Sequence, residues 1–474
     1  MRCHSIYEAT SDCDKDWELL ESMSLSVKAP PKRTLMGIGR SVKFVLRDKR
    51  KIELLIKKLG SWNDSLNQMS SRLEQESSRR RLRTFLSTGD TTQLRHLEAA
   101  ALLFKHRDIE NMASARNVIE TANRNEPAER PVDIAGTALS PTSDFRLEMN
   151  QLDWQNTPFR TDQPRAIAKF RGEFVIVDWR SCSDDTWRRQ NPEAFRERTD
   201  KLAQVLNSDL RALNLSVLHC VGYLDKNANV TGYAFRLPEY AHFGQHPITL
   251  QQLLTNVKRA DDIPDLGERF ELAKALLNTI FEIHNLGWMH KNIAPKNILF
   301  WPRPGTRDEW DVSKPYLMGF DISRPNQPGE VSEKPPAQPE DDIYRHPFYK
   351  GHSPRTFQPS FDMYSLGIIL YEIGRWRRVT VPAQIQPRRS DDPRPPMVSI
   401  HSDPHYVETL LSDGSVRDLK RMTGVRYRDA VVACLRRDFD AVWENKEGDR
   451  QRILQNYLDQ VQRRVIDTIA VCNA

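Results

Sequence analysis

Two short segments, residues 290–297 and 319–321, carry the side chains whose types and spacing could do chemistry. Asn292 has a neutral amide, which can orient a hydroxyl group but cannot accept its proton as a carboxylate would. Gly319 offers no ligand to a hard cation, which prefers oxygen anions. Asp321 carries a carboxylate, but two residues of extended chain put it roughly 6 to 7 Å from the Gly319 position. The segments suit positioning better than proton transfer or metal binding.

The elements around these segments follow from apolar spacing. From residue 270 to 284 the spacing predicts a helix, and its stripe consists of Leu272, Leu276, Ile280 and Ile283. The run Phe174 to Arg180 alternates as a strand does. Between about 166 and 470, short strand patterns come first and long helical patterns follow, which predicts an α+β domain.

Three motifs in this part of the chain resemble those of protein kinases. Residues 290–300 resemble the catalytic loop H-R-D-L-K-P-x-N-I-L. Residues 317–324 stand where kinases have I-x-D-F-G-L-A-R, and residues 362–373 match the helix D-x-W-S-x-G-x-x-L-x-E-I. The motifs occur in the kinase order at ordinary kinase distances. The resemblance implies a bilobal protein-kinase-like domain over residues 166–470.

The chain departs from the kinase pattern at the positions that perform the reaction. Asn292 stands in place of the catalytic Asp, Gly319 in place of the metal-binding Asp, and Asp321 in place of the following Gly. Asn297 keeps the place of the Asn that holds the second Mg²⁺. We therefore expect no metal site, and we expect ATP with Mg²⁺ to bind only if residual nucleotide binding survives.

The strand Phe174 to Arg180 is also poor in phosphate-binding groups. No G-x-G-x-x-G precedes it, and only Gly172 lies nearby. The lysine position of the V-A-I-K strand falls on Asp178 or, with a shift, on Arg180. An Asp there would repel phosphate, whereas Arg180 could pair with a helix glutamate such as Glu197. A surface arginine at the end of a strand is an equally good interpretation of Arg180.

The remaining motif residues support the fold in kinases. The resemblance implies that His290 packs near the 319–321 segment, that Phe320 fills the core, and that Asp362 caps backbone N–H groups of the loop. Lys291 keeps the positive charge of the H-R-D arginine. The departures from the kinase pattern therefore fall on the positions that perform the reaction and not on those that support the fold.

Amino-acid composition and apolar spacing divide the chain into four regions. Residues 1–35 form a polar segment, 36–123 read as helical, 124–165 form a Pro-rich linker, and 166–470 form the kinase-like domain. One helical stripe consists of Ile52, Leu55, Ile56, Leu59, Trp62, Leu66 and Met69, and a second helix is predicted over Thr91–Lys105 with Leu94, Leu97, Ala101 and Phe104 as its stripe. Two such helices would pack as an all-α bundle.

The run Lys43 to Leu66 resembles the later helices of the fungal HeLo, or prion-inhibition-and-propagation, domain. That family implies an all-helical module of self/non-self recognition with membrane-active members. It begins with a further hydrophobic helix that residues 1–35 do not show, so we expect a truncated or diverged module. Kinase-like domains often follow such helices, which links the two resemblances.

Composition restricts the function further. The net charge of +6 comes from 70 basic and 64 acidic residues, an excess too small to indicate nucleic-acid binding. Six cysteines without C-x-x-C spacing favour reduced thiols, and the polar N-terminus lacks a signal peptide. The longest apolar run, Ala99 to Phe104, is too short for a membrane span. We expect an intracellular, cytoplasmic protein.

The sequence leaves three functions open. The first is a pseudokinase in fungal self/non-self or stress signalling that binds protein partners. The second is a divergent active Ser/Thr-type kinase that uses ATP through Asn297, Asp321 and Arg180. The third is a helical effector in residues 36–123 that binds a partner or an anionic membrane under control of the kinase-like domain.

Overall fold

The computed structural model describes residues 91–103, 145–154, 164–181, 190–207, 215–227, 230–241, 246–306, 309–326, 341–349, 356–379, 415–437 and 450–473, with single residues at 109, 113, 114, 116, 117, 411 and 439. The chain divides into two units, Met1–Ser77 and Ser78–Ala474. The stripe from Ile52 to Met69 and the HeLo-like run lie outside the described residues. The described helices and strands all belong to the second unit.

Helix α1 (Thr91–Leu103) opens the described chain. Leu94 and Ala101 are buried and Leu97 packs beside Leu94, so the predicted helix and its stripe are confirmed as far as residue 103. Ala113 completes this small apolar cluster.

One curled sheet of six strands follows. Its strands are β1 (Arg146–Leu147), β2 (Leu152–Asp153), β3 (Arg165–Phe170), β4 (Glu173–Ser181), β5 (Cys220–Asn227) and β6 (Val230–Arg236). The spatial order is β1-β5-β6-β4-β3-β2, and every pair except the parallel β1–β5 pair is antiparallel. Because a single 3-10 turn, Met149–Gln151, joins β1 to β2, one short segment lies on both edges of the sheet. The sheet must therefore curl.

The β3–β4 hairpin sets the register that matters most for the site. Arg171 and Gly172 form its two-residue turn with φ values of +50° and +87°, the left-handed pair that matches strand twist. Counting back from this turn places Arg165 directly opposite Asp178. The predicted strand, residues 174–180, lies within β4.

Both faces of the sheet are covered. On one face, Ile176 and Phe235 join a large core with helix α2 (Pro192–Asn207) and the helices that follow. On the other, Val175 and Val177 pack under residues 145–154. The structure differs here from the Pro-rich linker predicted over 124–165, since residues 145–154 belong to the sheet. Two-residue strands leave no periodicity by which a sequence could reveal them.

The rest of the described chain is mostly helical. Its elements are β7 (Ile248–Thr249), α3 (Leu250–Thr255), α4 (Leu266–Asn285), β8 (Trp288–Met289), β9 (Ile298–Phe300), β10 (Tyr316–Leu317), β11 (Arg324–Pro325), α5 (Pro359–Arg375), α6 (Ser415–Arg436), α7 (Arg450–Val461) and α8 (Asp467–Ala470). The helix predicted over 270–284 lies within α4, and α5 is buried from Pro359 to Gly374. Residues 290–297 connect β8 to β9.

The described part of the chain is therefore a mixed α+β fold with one curled sheet and several helices. Its helices include none that is both long enough and apolar enough to span a membrane.

Candidate functional site

The loop 290–297 is anchored from the helical side by Asp362. This carboxylate lies in the first turn of α5 and has no solvent exposure. Its Oδ2 accepts the His290 N–H and its Oδ1 accepts the Lys291 N–H, each at 2.8 Å. Lys291 has a φ of +67°, an uncommon conformation for a lysine, which these hydrogen bonds help to hold.

His284 extends this anchor to two helices. Its Nε2 lies 3.1 Å from Asp362 Oδ2, and its Nδ1 lies 3.1 Å from the Tyr457 hydroxyl of α7. The Asp362 carboxylate can only accept, so His284 Nε2 carries the proton of that hydrogen bond. All three side chains are buried, and the loop is thereby connected to α4, α5 and α7.

His290, the first residue of the loop, packs against the 319–321 segment. Its ring meets Phe320 edge to face with centroids 4.6 Å apart, and its Nδ1 accepts the Asn292 N–H at 3.2 Å. Burial lowers the pKa of His290 from 6.5 to about 4, so the ring is neutral at physiological pH. The Ser323 hydroxyl donates to the His290 carbonyl at 3.0 Å. His290 and Phe320 thus hold two loops together.

Gly319 leaves no space for a side chain. Its φ is +84°, and a Cβ added there would lie 2.5 Å from Asn297 Nδ2. That amide nitrogen donates to the Asn292 carbonyl at 2.8 Å, while the Gly319 N–H donates to Asp178 Oδ2 at 3.0 Å. Asn297 therefore takes up the volume that a side chain at position 319 would need.

Asn292 directs its amide toward Asp321. Nδ2 donates to Asp321 Oδ1 at 3.2 Å and to the Gly319 carbonyl at 3.3 Å. A carboxylate at position 292 would face another carboxylate there, which disfavours both charges. Asn292 thus donates a hydrogen bond to a carboxylate that an aspartate at position 292 would repel.

Asp321 is paired with Arg180. Arg180 Nε lies 3.4 Å from Asp321 Oδ2, and Arg180 Nη1 donates to the Asp321 carbonyl at 2.7 Å. Burial raises the pKa of Asp321, the Arg180 charge opposes that rise, and the nearby Asp178 adds to it.

The suggested pairing of Arg180 with Glu197 is not what the structure contains. Glu197 pairs with Lys201 one turn further along α2, at 2.8 Å, and its side chain is 56% exposed. A one-turn pair on an exposed helix face is locally available, whereas Arg180 meets Asp321 only through the tertiary fold.

Arg165 is the residue of this site that motif reasoning missed. Its Nε lies 3.0 Å from Asp178 Oδ1, its Nη2 donates to Asn297 Oδ1 at 2.8 Å, and its Nη1 donates to the Lys296 carbonyl at 2.8 Å. The R-G turn at 171–172 could have revealed it, because that turn fixes the register that places Arg165 opposite Asp178.

Together these residues form one closed polar network with two guanidinium groups and two carboxylates. Its six side chains are Arg165, Asp178, Arg180, Asn292, Asn297 and Asp321. The formal charges cancel. Among the residues that the structure describes, no group of three or more His, Cys, Asp or Glu side chains could hold a metal ion.

Comparisons with known proteins add no relative to this description: no protein-family model matches the chain, and no curated protein matches it either.

Proposed function

We propose that this chain is a pseudokinase, a signalling or recognition protein whose kinase-like domain binds protein partners without transferring phosphate. The three motifs of residues 290–300, 317–324 and 362–373 support the kinase-like part. A curled sheet followed by the buried helices α4 and α5 supports a bilobal arrangement. The HeLo-like run Lys43 to Leu66 makes fungal self/non-self or stress signalling the context of the proposal.

The observation that carries the proposal is the closed polar network. Phosphoryl transfer needs cations that hold the phosphates, carboxylates that hold Mg²⁺, and a group that accepts the proton of the attacking hydroxyl. In this site Arg165 and Arg180 are paired with Asp178 and Asp321. Groups that already bond one another must break those bonds before they can bind a nucleotide, which costs free energy.

The packing around Gly319 supports the same conclusion. A metal-binding carboxylate at position 319 would meet Asn297 Nδ2, and the Asn297 oxygen already accepts from Arg165. The absence of a carboxylate at position 319 and the hydrogen bonds of Asn297 therefore depend on each other.

The direct test is phosphoryl transfer from radiolabelled ATP by the purified full chain, with Mg²⁺ or Mn²⁺ and a general acceptor protein. We expect no transfer above the background without protein. The matched variants are Asn292→Ala in the loop and Asn256→Ala at the exposed end of α3. Robust transfer by the native chain that Asn292→Ala abolishes and Asn256→Ala spares would overturn the proposal.

A divergent active kinase is the second candidate, and one contact favours it. Asp321 Oδ1 lies 3.2 Å from Asn292 Nδ2, so a carboxylate of raised pKa lies beside the loop and could accept a proton. Thermal unfolding with millimolar ATP and Mg²⁺ separates the candidates, because a bound ligand raises the melting temperature. A divergent kinase requires a rise in melting temperature with ATP and Mg²⁺, and the size of that rise should change in Asp321→Asn. The pseudokinase proposal predicts no rise.

A further inference from the structure

The end of helix α4 is closed by an arginine from a distant part of the chain. Arg116 Nη1 donates to the main-chain oxygen of Leu286 at 2.7 Å, and both residues are buried. Leu286 is the C-cap of α4, so its oxygen lies beyond the hydrogen bonds of the helix itself. The guanidinium also places a positive charge at the negative end of the helix dipole. Arg116 therefore stabilises this helix end by a hydrogen bond and by its charge.

The turn after Leu286 has room for the guanidinium because its next residue is glycine. Gly287 has a φ of +79°, the left-handed conformation in which many helices end, and its N–H donates to the His284 main-chain oxygen at 2.9 Å. A Cβ at position 287 would lie 2.8 Å from Arg116 Nη1. The backbone angle and the close approach of Arg116 thus both favour glycine here.

Arg116 belongs to the part of the chain that precedes the sheet. Residues 113, 114, 116 and 117 are helical, and Ala113 packs against Leu94 and Leu97 of α1. We name α1 together with residues 113–117 the α1 segment. Along the sequence it lies between the HeLo-like run and the strands of the sheet. The hydrogen bond from Arg116 to Leu286 therefore ties the α1 segment to the end of α4.

Two contacts lead from this helix end to the loop 290–297. His284 lies in the last turn of α4, and its Nε2 is 3.1 Å from Asp362 Oδ2. Asp362 in turn accepts the N–H groups of His290 and Lys291. All four residues are buried in a densely packed interior. A displacement of the α4 end therefore disturbs the hydrogen bonds that anchor the loop.

We infer that Arg116 couples the α1 segment to the loop 290–297. The segment docks on α4 when the loop is anchored, and its release loosens the anchor. Such coupling acts in both directions by thermodynamic necessity, so a partner that binds the α1 segment changes the loop, and a partner that binds the loop changes the docking. The inference rests on the proposed function and deepens it, because it names how the partner-binding domain communicates with the residues that precede it.

The test is hydrogen–deuterium exchange of the full chain, measured by mass spectrometry. Arg116→Met removes the donors and the charge and keeps most of the side-chain volume. We expect it to raise the exchange rate of residues 284–291 at least about fivefold and to leave residues 427–435 of α6 unchanged. The matched control is Arg269→Met, because Arg269 Nη1 donates to the Gly374 oxygen in the last turn of α5 at 2.9 Å. That variant should leave residues 284–291 within about twofold of the native rate.

The reverse direction is tested from α7. Tyr457→Phe removes only the hydroxyl that lies 3.1 Å from His284 Nδ1, and it should raise the exchange rate of residues 113–117 at least about twofold. Tyr427→Phe is the matched control, since Tyr427 is equally buried and donates to the Leu370 oxygen at 2.8 Å. It should leave the exchange of residues 113–117 at the native rate.

The inference is overturned if Arg116→Met leaves residues 284–291 unchanged or raises exchange equally throughout the fold. It is also overturned if Tyr457→Phe acts on residues 113–117 no more than Tyr427→Phe does. Should Arg116→Met not fold, the two tyrosine variants decide the question by themselves. Phosphoryl transfer by the native chain would overturn the proposed function without changing these exchange rates, so the two failures are distinguishable.

Discussion

Asp362 and Asp178 each hold the backbone of the site, Asp362 in the loop 290–297 and Asp178 at Gly319, and they do so by different means. Asp362 is wholly buried and accepts two main-chain N–H groups and His284. Asp178 is 13% exposed, accepts one main-chain N–H group and forms an ion pair with the Arg165 guanidinium. The contacts of Asp362, named the lower anchor, hold the backbone, and those of Asp178 with Arg165 and Gly319, named the upper anchor, mainly neutralise a charge.

This difference explains which substitutions the chain can tolerate. Main-chain donors exist whatever the side chains are, so a buried carboxylate that serves them has no substitute. A charge pair in a cleft can be replaced by another pair, because only the balance of charge and the hydrogen bonds must be kept. The charged side chains of the polar network can therefore be replaced by others that keep the charge balance, whereas Asp362 cannot.

The largest effect is expected from removing the lower anchor. Asp362→Ala leaves the His290 and Lys291 N–H groups without their acceptor in a dry interior, which should cost roughly 3 to 5 kcal/mol of unfolding free energy. Urea denaturation measures it. The matched control is Asp418→Ala, since Asp418 is a half-exposed carboxylate on α6 and should change stability by less than about 0.5 kcal/mol. Equal effects from the two variants would contradict the role of Asp362.

The next effect is the pH dependence that His290 gives to the free energy of unfolding. Its folded pKa of about 4 lies below 6.5, so the unfolded chain binds more protons between these values and stability rises with pH across that window. The contribution is complete above pH 6.5 and is lost as the pH falls toward 4, by about 3 kcal/mol for this wholly buried ring.

Urea unfolding of the native chain and of His290→Asn between pH 4 and 7 isolates this contribution. Glu372 opposes it, because burial raises the pKa of that carboxyl from 4.5 to about 7 and its contribution falls as the pH rises through this interval. Both chains contain Glu372, so the difference between their pH slopes belongs to His290. Identical slopes would show that His290 is not held neutral.

A smaller effect is expected from restoring the missing carboxylate of the upper site. Gly319→Asp combines a positive φ with a Cβ 2.5 Å from Asn297 Nδ2 and should cost roughly 2 to 4 kcal/mol. Gly305→Asp is the matched control, because Gly305 has a φ of +81° but open space around it, and it should cost only about 1 kcal/mol. The difference in urea midpoints measures the packing. Equal shifts in the urea midpoint would mean that Asn297 moves aside at no cost in stability.

The smallest effect is expected at the upper carboxylate. Asp178→Asn keeps an oxygen for the Gly319 N–H, and Arg165 keeps its two other oxygen acceptors, so only the ion pair of a largely buried arginine is lost, which should cost roughly 2 kcal/mol. Urea denaturation at low and high salt checks it, and the gap between native and variant should narrow with salt. A loss as large as that of Asp362→Ala would erase the distinction between the two anchors.

The sequence revealed the lower anchor better than the upper one, for a physical reason. Apolar spacing predicts α4, whereas α5 and the role of Asp362 were expected from the resemblance of residues 362–373 to the kinase helix motif. The upper network depends on register and loop packing. Arg165 reaches Asp178 across a hairpin, and Arg180 reaches Asp321 rather than the locally suggested Glu197.

Short elements limited the prediction in the same way. Residues 145–154 contribute two-residue strands to both edges of the sheet, and the flanking Pro141 and Pro158 placed them within the predicted linker. The interlock of Gly319 with Asn297 likewise depends on a backbone angle that no motif specifies.

The central claim is that the charged groups of the polar network are paired with one another, and nucleotide binding tests it most directly. Isothermal titration calorimetry of the full chain with ATP and Mg²⁺ should show no saturable heat at millimolar nucleotide, because Arg165 and Arg180 are paired with Asp178 and Asp321. Saturable binding of a single ATP that Arg180→Met abolishes, and that the exposed-site variant Arg421→Met leaves unchanged, would contradict the claim.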